Sequence, residues 1–249
     1  MEPLEKRIES LKRFVSEAES IACLTGAGMS TESGIPDFRS SSGIYSTITS
    51  EEIFDIYEFN RHPERFYSVL APVYGAMLDG KPNAGHLALA RWEKDYGKEV
   101  CIATQNIDGL HQKAGSMNVQ EVHGSMMSLT CRDCGGSVPW GPFEEQLRAG
   151  RLLRHSMTGC SCHGIMKPDI VFYGEGLPQA AFRTSSNAFV HSDLILVLGT
   201  SLAVYPAAEL PRYRGRNSRL VIVNRTETPL DGEADLVFRE DIGAVLKEI

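Results

Sequence analysis

A chain of 249 residues is long enough to bury a full core, as one large domain or as one domain carrying a smaller insertion. Its 25 Lys+Arg stand against 32 Asp+Glu, a formal charge of −7, which argues against a dedicated nucleic-acid surface and is compatible with cationic substrates or with plain solubility. No run approaches the ~20 apolar residues of a membrane span and the N-terminus carries no continuous apolar signal region, so the expectation is a soluble, cytoplasmic protein without a membrane partner.

Taken in chain order, Leu4, Ile8, Leu11, Val15 and Ala18 recur at helical spacing among Glu, Lys and Arg, the pattern of an amphipathic helix docked on a core. An apolar strand from Ser20 to Leu24 then runs into Thr25-Gly26-Ala27-Gly28-Met29-Ser30-Thr31, the placement of a phosphate-binding glycine turn opening a βα unit. Gly26 and Gly28 would let the backbone approach a pyrophosphate closely. The full Gly-x-Gly-x-x-Gly fingerprint fails, because Thr31 occupies its third glycine position. A long polar loop, Glu32 to Gly43, follows and carries one aromatic, Phe38, and one Arg, Arg39; loops of this length are lids, ligand-binding elements or connections.

Helical patterns follow over 63–78 and 84–96. The apolar run Val100-Cys101-Ile102-Ala103 then breaks abruptly into Thr104-Gln105-Asn106-Ile107-Asp108, with His123-Gly124 fifteen residues after Asp108. A buried strand of an α/β sheet delivers polar groups to a ligand crevice in this way. Asn106 or Asp108 could equally cap a helix beginning near Gly109, but capping needs one of them and not Gln, Asn and Asp together. Cys23 and Cys101 sit inside apolar strand patterns as small buried hydrophobes.

The other cysteines read Cys131-Arg132-Asp133-Cys134 and, further on, Cys160-Ser161-Cys162. A Cys-x-x-Cys knuckle with a second close pair is the closed four-thiolate arrangement of structural zinc. The second pair is one residue short of Cys-x-x-Cys, so His155 or His163 could stand in for one sulfur; two disulfides are the other reading, with nothing to suggest an oxidising compartment. Beyond this module, apolar strands over 193–198 and 219–223 end in Gly199-Thr200-Ser201 and in Asn224.

The expected fold class is therefore α/β: a doubly wound, Rossmann-like parallel sheet with a small inserted zinc-binding module. The large nucleotide-binding part covers about 1–124 and 169–249, and the module about 125–168.

Together, Gly26-Ala27-Gly28-Met29-Ser30, Gly34-Ile35-Pro36-Asp37-Phe38-Arg39, Thr104 to Asp108, His123-Gly124 and Gly199-Thr200-Ser201 resemble the sirtuin family. The four paired cysteines, Lys167 to Glu175, Val204 to Pro211 and Val223-Asn224 extend the resemblance over nearly the whole chain. It implies NAD-dependent removal of acyl groups from protein lysines, with NAD consumed as co-substrate: nicotinamide leaves and the acyl group ends on ADP-ribose. Protein mono-ADP-ribosylation on the same scaffold is the alternative it leaves open.

The resemblance also implies roles. Asp108 and the Ile107 backbone hold the nicotinamide carboxamide, Gln105 contacts ribose, and Asn106 positions ribose or water. Phe38 shields the ribose face from water, and His123 is the general base, its imidazole pKa of about 6.5 suited to neutral pH. Gly26, Ala27, Ser30, Thr31, Arg39, Gly199, Thr200, Ser201 and Asn224 meet the diphosphate and adenosine end, with Asp241 and Ile242 near the adenine. Phe172, Gly174 and Glu175 on one side and Val204 and Tyr205 on the other hold an extended acyl-lysine peptide. Zinc at Cys131, Cys134, Cys160 and Cys162 is structural. Family members that prefer acidic acyl groups carry a Tyr-x-x-Arg pair; the corresponding stretch, Phe66 to Val73, offers Leu70 and Val73 instead, which favours acetyl.

Two further classes are disfavoured. A hydride-transferring dehydrogenase needs the missing third glycine and an acidic ribose ligand, and a zinc-ribbon interaction protein leaves Asn106, Asp108 and His123 unexplained.

Overall fold

In the computed structural model the described residues are 2–37 and 51–249, with the side chains of residues 51 and 52 excluded. The first core strands are β1 (Ser20–Thr25) and β2 (Glu99–Thr104), beside the short β3 (Val119–Glu121). The later ones are β7 (Leu194–Leu198), β8 (Arg219–Val223) and β9 (Leu236–Phe238). They form one sheet in the order β3-β2-β1-β7-β8-β9, and every neighbouring pair is parallel.

A parallel sheet covered on both faces needs strands apolar on both sides, and these comply. Ile21, Cys23, Val100, Ile102, Leu194, Leu196 and Val221 face one core, while Ala22, Leu24, Ala103, Ile195, Val197 and Ile222 face the other. The two-residue period of a strand thus splits each run between two layers. The first core is completed by α1 (Leu4–Glu17), the helix over Ala84–Lys94 and the C-terminal helix Ile242–Leu246. The opposite one is covered by the helix Gln179–His191 and the 3-10 turn Ala207–Tyr213. Cys23 and Cys101 lie in the sheet as expected; burial pushes the Cys23 thiol far up and holds Cys101 at about 11, with Glu93 adding to the latter, so both stay protonated and unreactive.

The chain moves outward from β1 to β3, returns to place β7 against the other side of β1, and moves outward again. The β1–β7 boundary is therefore the point where strand order reverses, and a crevice opens beyond the carboxyl ends of those strands. The turns that meet there are glycine-built. A Cβ on Gly28 would lie 2.8 Å from the Gly199 Cα, and one on Gly199 would lie 2.3 Å from the Met29 backbone nitrogen. Gly199 also holds φ at +63°. The glycine turn after β1 is thus fixed by the close approach of two protein loops, with the Gly26 amide donating to the Leu198 carbonyl at 3.0 Å and the Gly28 amide to the Gly199 carbonyl at 2.9 Å. Gly199→Ala is expected to cost roughly 2–5 kcal/mol through left-handed strain and overpacking, read as a lowered urea midpoint.

A second, antiparallel sheet, β5-β4-β6, is built from β4 (Gly124–Cys131), β5 (Ser137–Pro139) and β6 (Met166–Ile170). Its core extends well beyond 125–168. It takes in Ile53 and the helices α2 (Ile56–Arg61) and α3 (Pro63–Asp79), through Phe59, Phe66, Tyr67, Leu70, Val73 and Met77. Edge-to-face rings tie α2 and α3 to the strand exit after β6: Phe59 and Phe172 have centroids 5.3 Å apart, and the Tyr67 hydroxyl donates to the Met166 carbonyl at 2.6 Å. The small unit is thus assembled from two separate chain segments. No helix among the described residues is long and apolar enough to cross a membrane.

Behind the sheet's working end, His86 and His111 lie fully buried with ring centroids 4.7 Å apart. Burial lowers His86 to about 4 and, with the His86 charge adding, His111 to about 3. Below the unfolded value of about 6.5 the unfolded chain binds protons the folded chain refuses, so stability present above pH 6.5 is lost as pH falls toward 4 and then 3. Melting temperature is expected to drop steadily over that window, and His86→Gln to flatten the slope.

Candidate active site

The crevice at the β1–β7 boundary is a cavity of about 1360 Å³. Its walls contain Gly26, Ala27, Ser30 and Thr31 from the turn after β1, and Gln105, Asn106, Ile107 and Asp108 from the turn after β2. His123 reaches it from the short link between β3 and β4. Gly199, Thr200 and Ser201 arrive from the turn after β7, Asn224 from the end of β8, and Asp241 and Ile242 from the last helix. Phe172, Gly174, Glu175, Val204 and Tyr205 also line it. Residues scattered over more than two hundred positions of sequence meet here because parallel strands all deliver their carboxyl ends to one edge. Phe38 and Arg39 lie outside the described residues.

The polar residues at the floor form one network. Asn106 Nδ2 donates to the Gly26 carbonyl at 3.0 Å and to Ser30 Oγ at 3.2 Å, and Ser30 Oγ donates to Asp108 Oδ2 at 2.7 Å. Asp108 Oδ1 accepts from the Leu110 amide at 2.9 Å, so the carboxylate that faces the cavity also holds the first residue of the helix Leu110–Ala114, although the cap position itself is Gly109. Burial raises the Asp108 pKa, and the Leu110 amide and Ser30 hydroxyl oppose that rise. Gln105 Nε2 donates to Thr200 Oγ1 at 3.0 Å, joining the β2 and β7 turns. His111, the nearer histidine in sequence, turns away from the cavity: its Nε2 is 3.0 Å from Thr25 Oγ1 in the core.

His123 is half-buried in the cavity wall, and its backbone carbonyl accepts from the Val171 amide at 2.8 Å. Burial pushes its imidazole below the ordinary value, with a hydrogen bond to the Gln105 backbone acting the other way. The ring is therefore neutral at pH 7 and able to accept a proton. Gly124 makes this placement possible: with φ at +75°, a Cβ there would sit 2.1 Å from the Asp169 carbonyl oxygen.

The strip Phe172–Glu175 carries an edge, but part of it is already paired. Tyr173 N–H donates to the Phe54 carbonyl at 2.7 Å, and the Ile56 amide donates to the Tyr173 carbonyl at 3.1 Å. Glu175 is committed inside the strip. Its Oε2 accepts from the Phe172 amide at 2.9 Å and pairs with Lys167 Nζ at 2.9 Å, while that ammonium lies 4.2 Å from the Phe172 ring centroid. Glu175 thus holds the shape of the strip. Leu70 and Val73, expected beside an acyl group, are instead buried in the second core. Among the described residues of α3 it is Met77 that lines the cavity.

The metal-ligand cluster stands apart, at the far end of β4. Among the described residues, Cys131, Cys134, His155 and Cys162 hold ligand atoms all within 4.8 Å of one another. Three thiols and an imidazole at such spacing fit a structural zinc ion. Cys160 is not brought into this group, and His155 stands in it instead. Burial raises the Cys131 thiol, but amides of Cys134 and Asp133 and the adjacent thiols outweigh it and hold the pKa at about 7. At Cys134 the Gly136 amide is outweighed by burial and by the Cys131 and Cys162 thiols beside it, which push it up to about 11, so the cluster shares its negative charge unevenly.

The family model of the Sir2 family matches residues 26–206. The chain belongs to the Sir2 family. It is 42% identical over 249 residues to an NAD-dependent protein deacetylase of Clostridium acetobutylicum, covering 98% of both chains. It is also 42% identical over 231 residues to one of Thermotoga maritima, covering 92% of this chain and 91% of the relative. Among solved structures it is similar to a Sir2 with a deacetylated peptide and 3'-O-acetyl ADP ribose, with TM-score 0.88, 39% identity and coverage of 97% and 96%. It is similar as well to a Sir2 bound to a propionylated peptide, with TM-score 0.84, 38% identity and coverage of 96% and 95%.

Arg225 and Ile35 are among the residues of this sirtuin's cavity that the sequence did not single out. Arg225 lines it and pairs with Asp241 at 2.6 Å, so Asp241 also holds a guanidinium at the cavity wall. Its position directly after Asn224 at a strand end was the available signal. Ile35 adds an apolar wall near Met77 and Phe54; within a loop read as polar, nothing marked it out.

Proposed function

We propose that this sirtuin is an NAD-dependent protein lysine deacetylase, passing the acetyl group from lysine to ADP-ribose with release of nicotinamide. The observation that carries it is the meeting of the Asn106–Ser30–Asp108 network and His123 in one cavity with the glycine turn at the β1–β7 boundary. The cavity's polar set suits NAD: the hydroxyls of Thr200 and Ser201 for diphosphate and ribose oxygens, and a buried carboxylate for a carboxamide N–H. The relatives' names agree with this reading.

In this mechanism Asp108, with the Ile107 backbone, orients the nicotinamide carboxamide. Gln105 and Asn106 hold the ribose, positioned by their bonds to Thr200, Gly26 and Ser30. His123 accepts the proton of a ribose hydroxyl, which its lowered pKa permits at neutral pH. The peptide lies between the Phe172–Gly174 strip and Val204–Tyr205, read through its backbone more than its side chains. Phe54, Met77 and Ile107 give the acyl-lysine an apolar path.

The decisive experiment incubates an acetyl-lysine peptide with NAD and follows products by mass spectrometry. Free lysine peptide with O-acetyl-ADP-ribose is expected; ADP-ribosylated protein without deacetylated peptide would overturn the reading. On matched peptides, deacetylation should exceed desuccinylation by more than about tenfold, since an apolar wall penalises an acidic acyl group; the reverse order defeats the acetyl preference.

A further inference from the structure

We propose that the structural zinc of this sirtuin is held by three thiolates and one imidazole, Cys131, Cys134, Cys162 and His155 Nδ1, and that Cys160 remains off the metal as a free thiol. Three independent features of the cluster lead there. The first is distance: Cys134 Sγ and His155 Nδ1 are 3.1 Å apart, and Cys131 Sγ and Cys162 Sγ are 3.6 Å apart. Ligands about 2.1–2.3 Å from a tetrahedral zinc are separated by about 3.4–3.8 Å, so the thiol pair sits at that spacing and the thiol–imidazole pair need part by only a few tenths of an ångström to share an ion.

The second feature is how the chain brings His155 there. Arg154 and Ile165 form an antiparallel bridge, the His155 amide donates to the Gly164 carbonyl at 2.9 Å, and the Met166 amide donates to the Leu153 carbonyl at 3.0 Å. This ribbon sets His155 opposite Gly164, two residues from Cys162, whose Sγ in turn accepts from the Gly164 amide at 3.2 Å. The imidazole is buried, with 7% of its residue surface exposed.

The third is the space left for it. A Cβ on Gly136 would lie 2.6 Å from His155 Cε1, and one on Gly164 would lie 2.4 Å from Cys131 Sγ. Both glycines therefore clear room for ligand side chains, and one of those is the histidine ring. Spacing points the same way. Cys160-Ser161-Cys162 leaves one residue between thiols, shorter than the two to four that knuckles use, whereas six residues between His155 and Cys162 allow the loop to turn back.

Zinc K-edge X-ray absorption on the purified full-length protein tests this, together with zinc content per chain. A shell of three sulfurs and one nitrogen is expected. Cys160→Ser should keep one zinc per chain with an unchanged spectrum, and should abolish the one cysteine that reacts with a thiol reagent in the loaded protein. His155→Ala should lower zinc retention against a fixed chelator by more than about tenfold, and His155→Cys should retain zinc with a four-sulfur shell. A four-sulfur shell in the unaltered protein, or loss of a sulfur in Cys160→Ser, overturns the proposal. Should His155→Ala not fold, the unaltered protein and Cys160→Ser still decide. None of these readouts depends on deacetylation, so the outcome is separable from that of the proposed activity.

Discussion

His123→Ala is expected to lower kcat for deacetylation by roughly 10²–10⁴-fold, the usual worth of a positioned general base, while zinc content and fold remain. The side chain is half-buried at the cavity wall, and its backbone carbonyl keeps its bond from Val171 whatever side chain is present. Loss of the ring removes its bond to the Gln105 backbone, so the melting temperature should fall modestly, and KM for NAD should change much less than kcat. The pH profile gives an independent check. Burial lowers the imidazole pKa, so the base form persists below the ordinary value of about 6.5, and activity should fall only as pH drops through the lowered pKa. Full activity in the alanine variant, or an acidic limb above pH 6.5 with no other group responsible, would remove His123 from this role.

Asp108→Asn is expected to weaken NAD binding by about 10- to 100-fold, corresponding to loss of a charged acceptor worth about 1.5–3 kcal/mol. The amide keeps one oxygen for the Leu110 N–H, so the helix start survives. The second oxygen becomes an NH2 facing the Ser30 hydroxyl, which already receives the Asn106 amide. Ser30 must then rotate, its proton loses the carboxylate, and a modest fall in melting temperature follows. Calorimetry of NAD binding separates the two jobs of this residue. An unchanged Kd with lowered stability would mean that Asp108 only caps the helix.

Much of this organisation was legible locally. Runs such as Leu194 to Leu198 declare a doubly covered strand because both faces must be apolar, and the polar residues that end each run declare the crevice. The three-residue edge strands β3 and β9 were not legible, since Val119–Glu121 and Leu236–Phe238 are too short to show a period. The helix over Pro63–Asp79 was visible, but its allegiance to the second core was not: which sheet a helix covers is decided by contacts such as Phe66 on Phe172, more than a hundred residues apart. The same limit hid the inward turn of Leu70 and Val73 and the pairing of Glu175 with Lys167. His155 was visible as a possible ligand, but only the ribbon to Gly164 places it. The close approach of Gly28 to Gly199 shows how a glycine pair legible as a phosphate turn also answers to the protein's own packing.

One strand joins the two distant sites. His123 immediately precedes β4, and Cys131 is its last residue, so eight residues, at most about 27 Å of chain, lead from His123 to the metal-ligand cluster. β4 is the central strand of the small sheet, paired on both sides. Its pairing with β6 holds at Gly124 and again from Leu129 to Cys131, with a register shift between them, so one strand ties both ends to the same neighbour. Loss of the metal is therefore expected to free the far end of β4 and, through that strand, to loosen the position of His123, read as a fall in activity after chelation with every cavity residue unaltered.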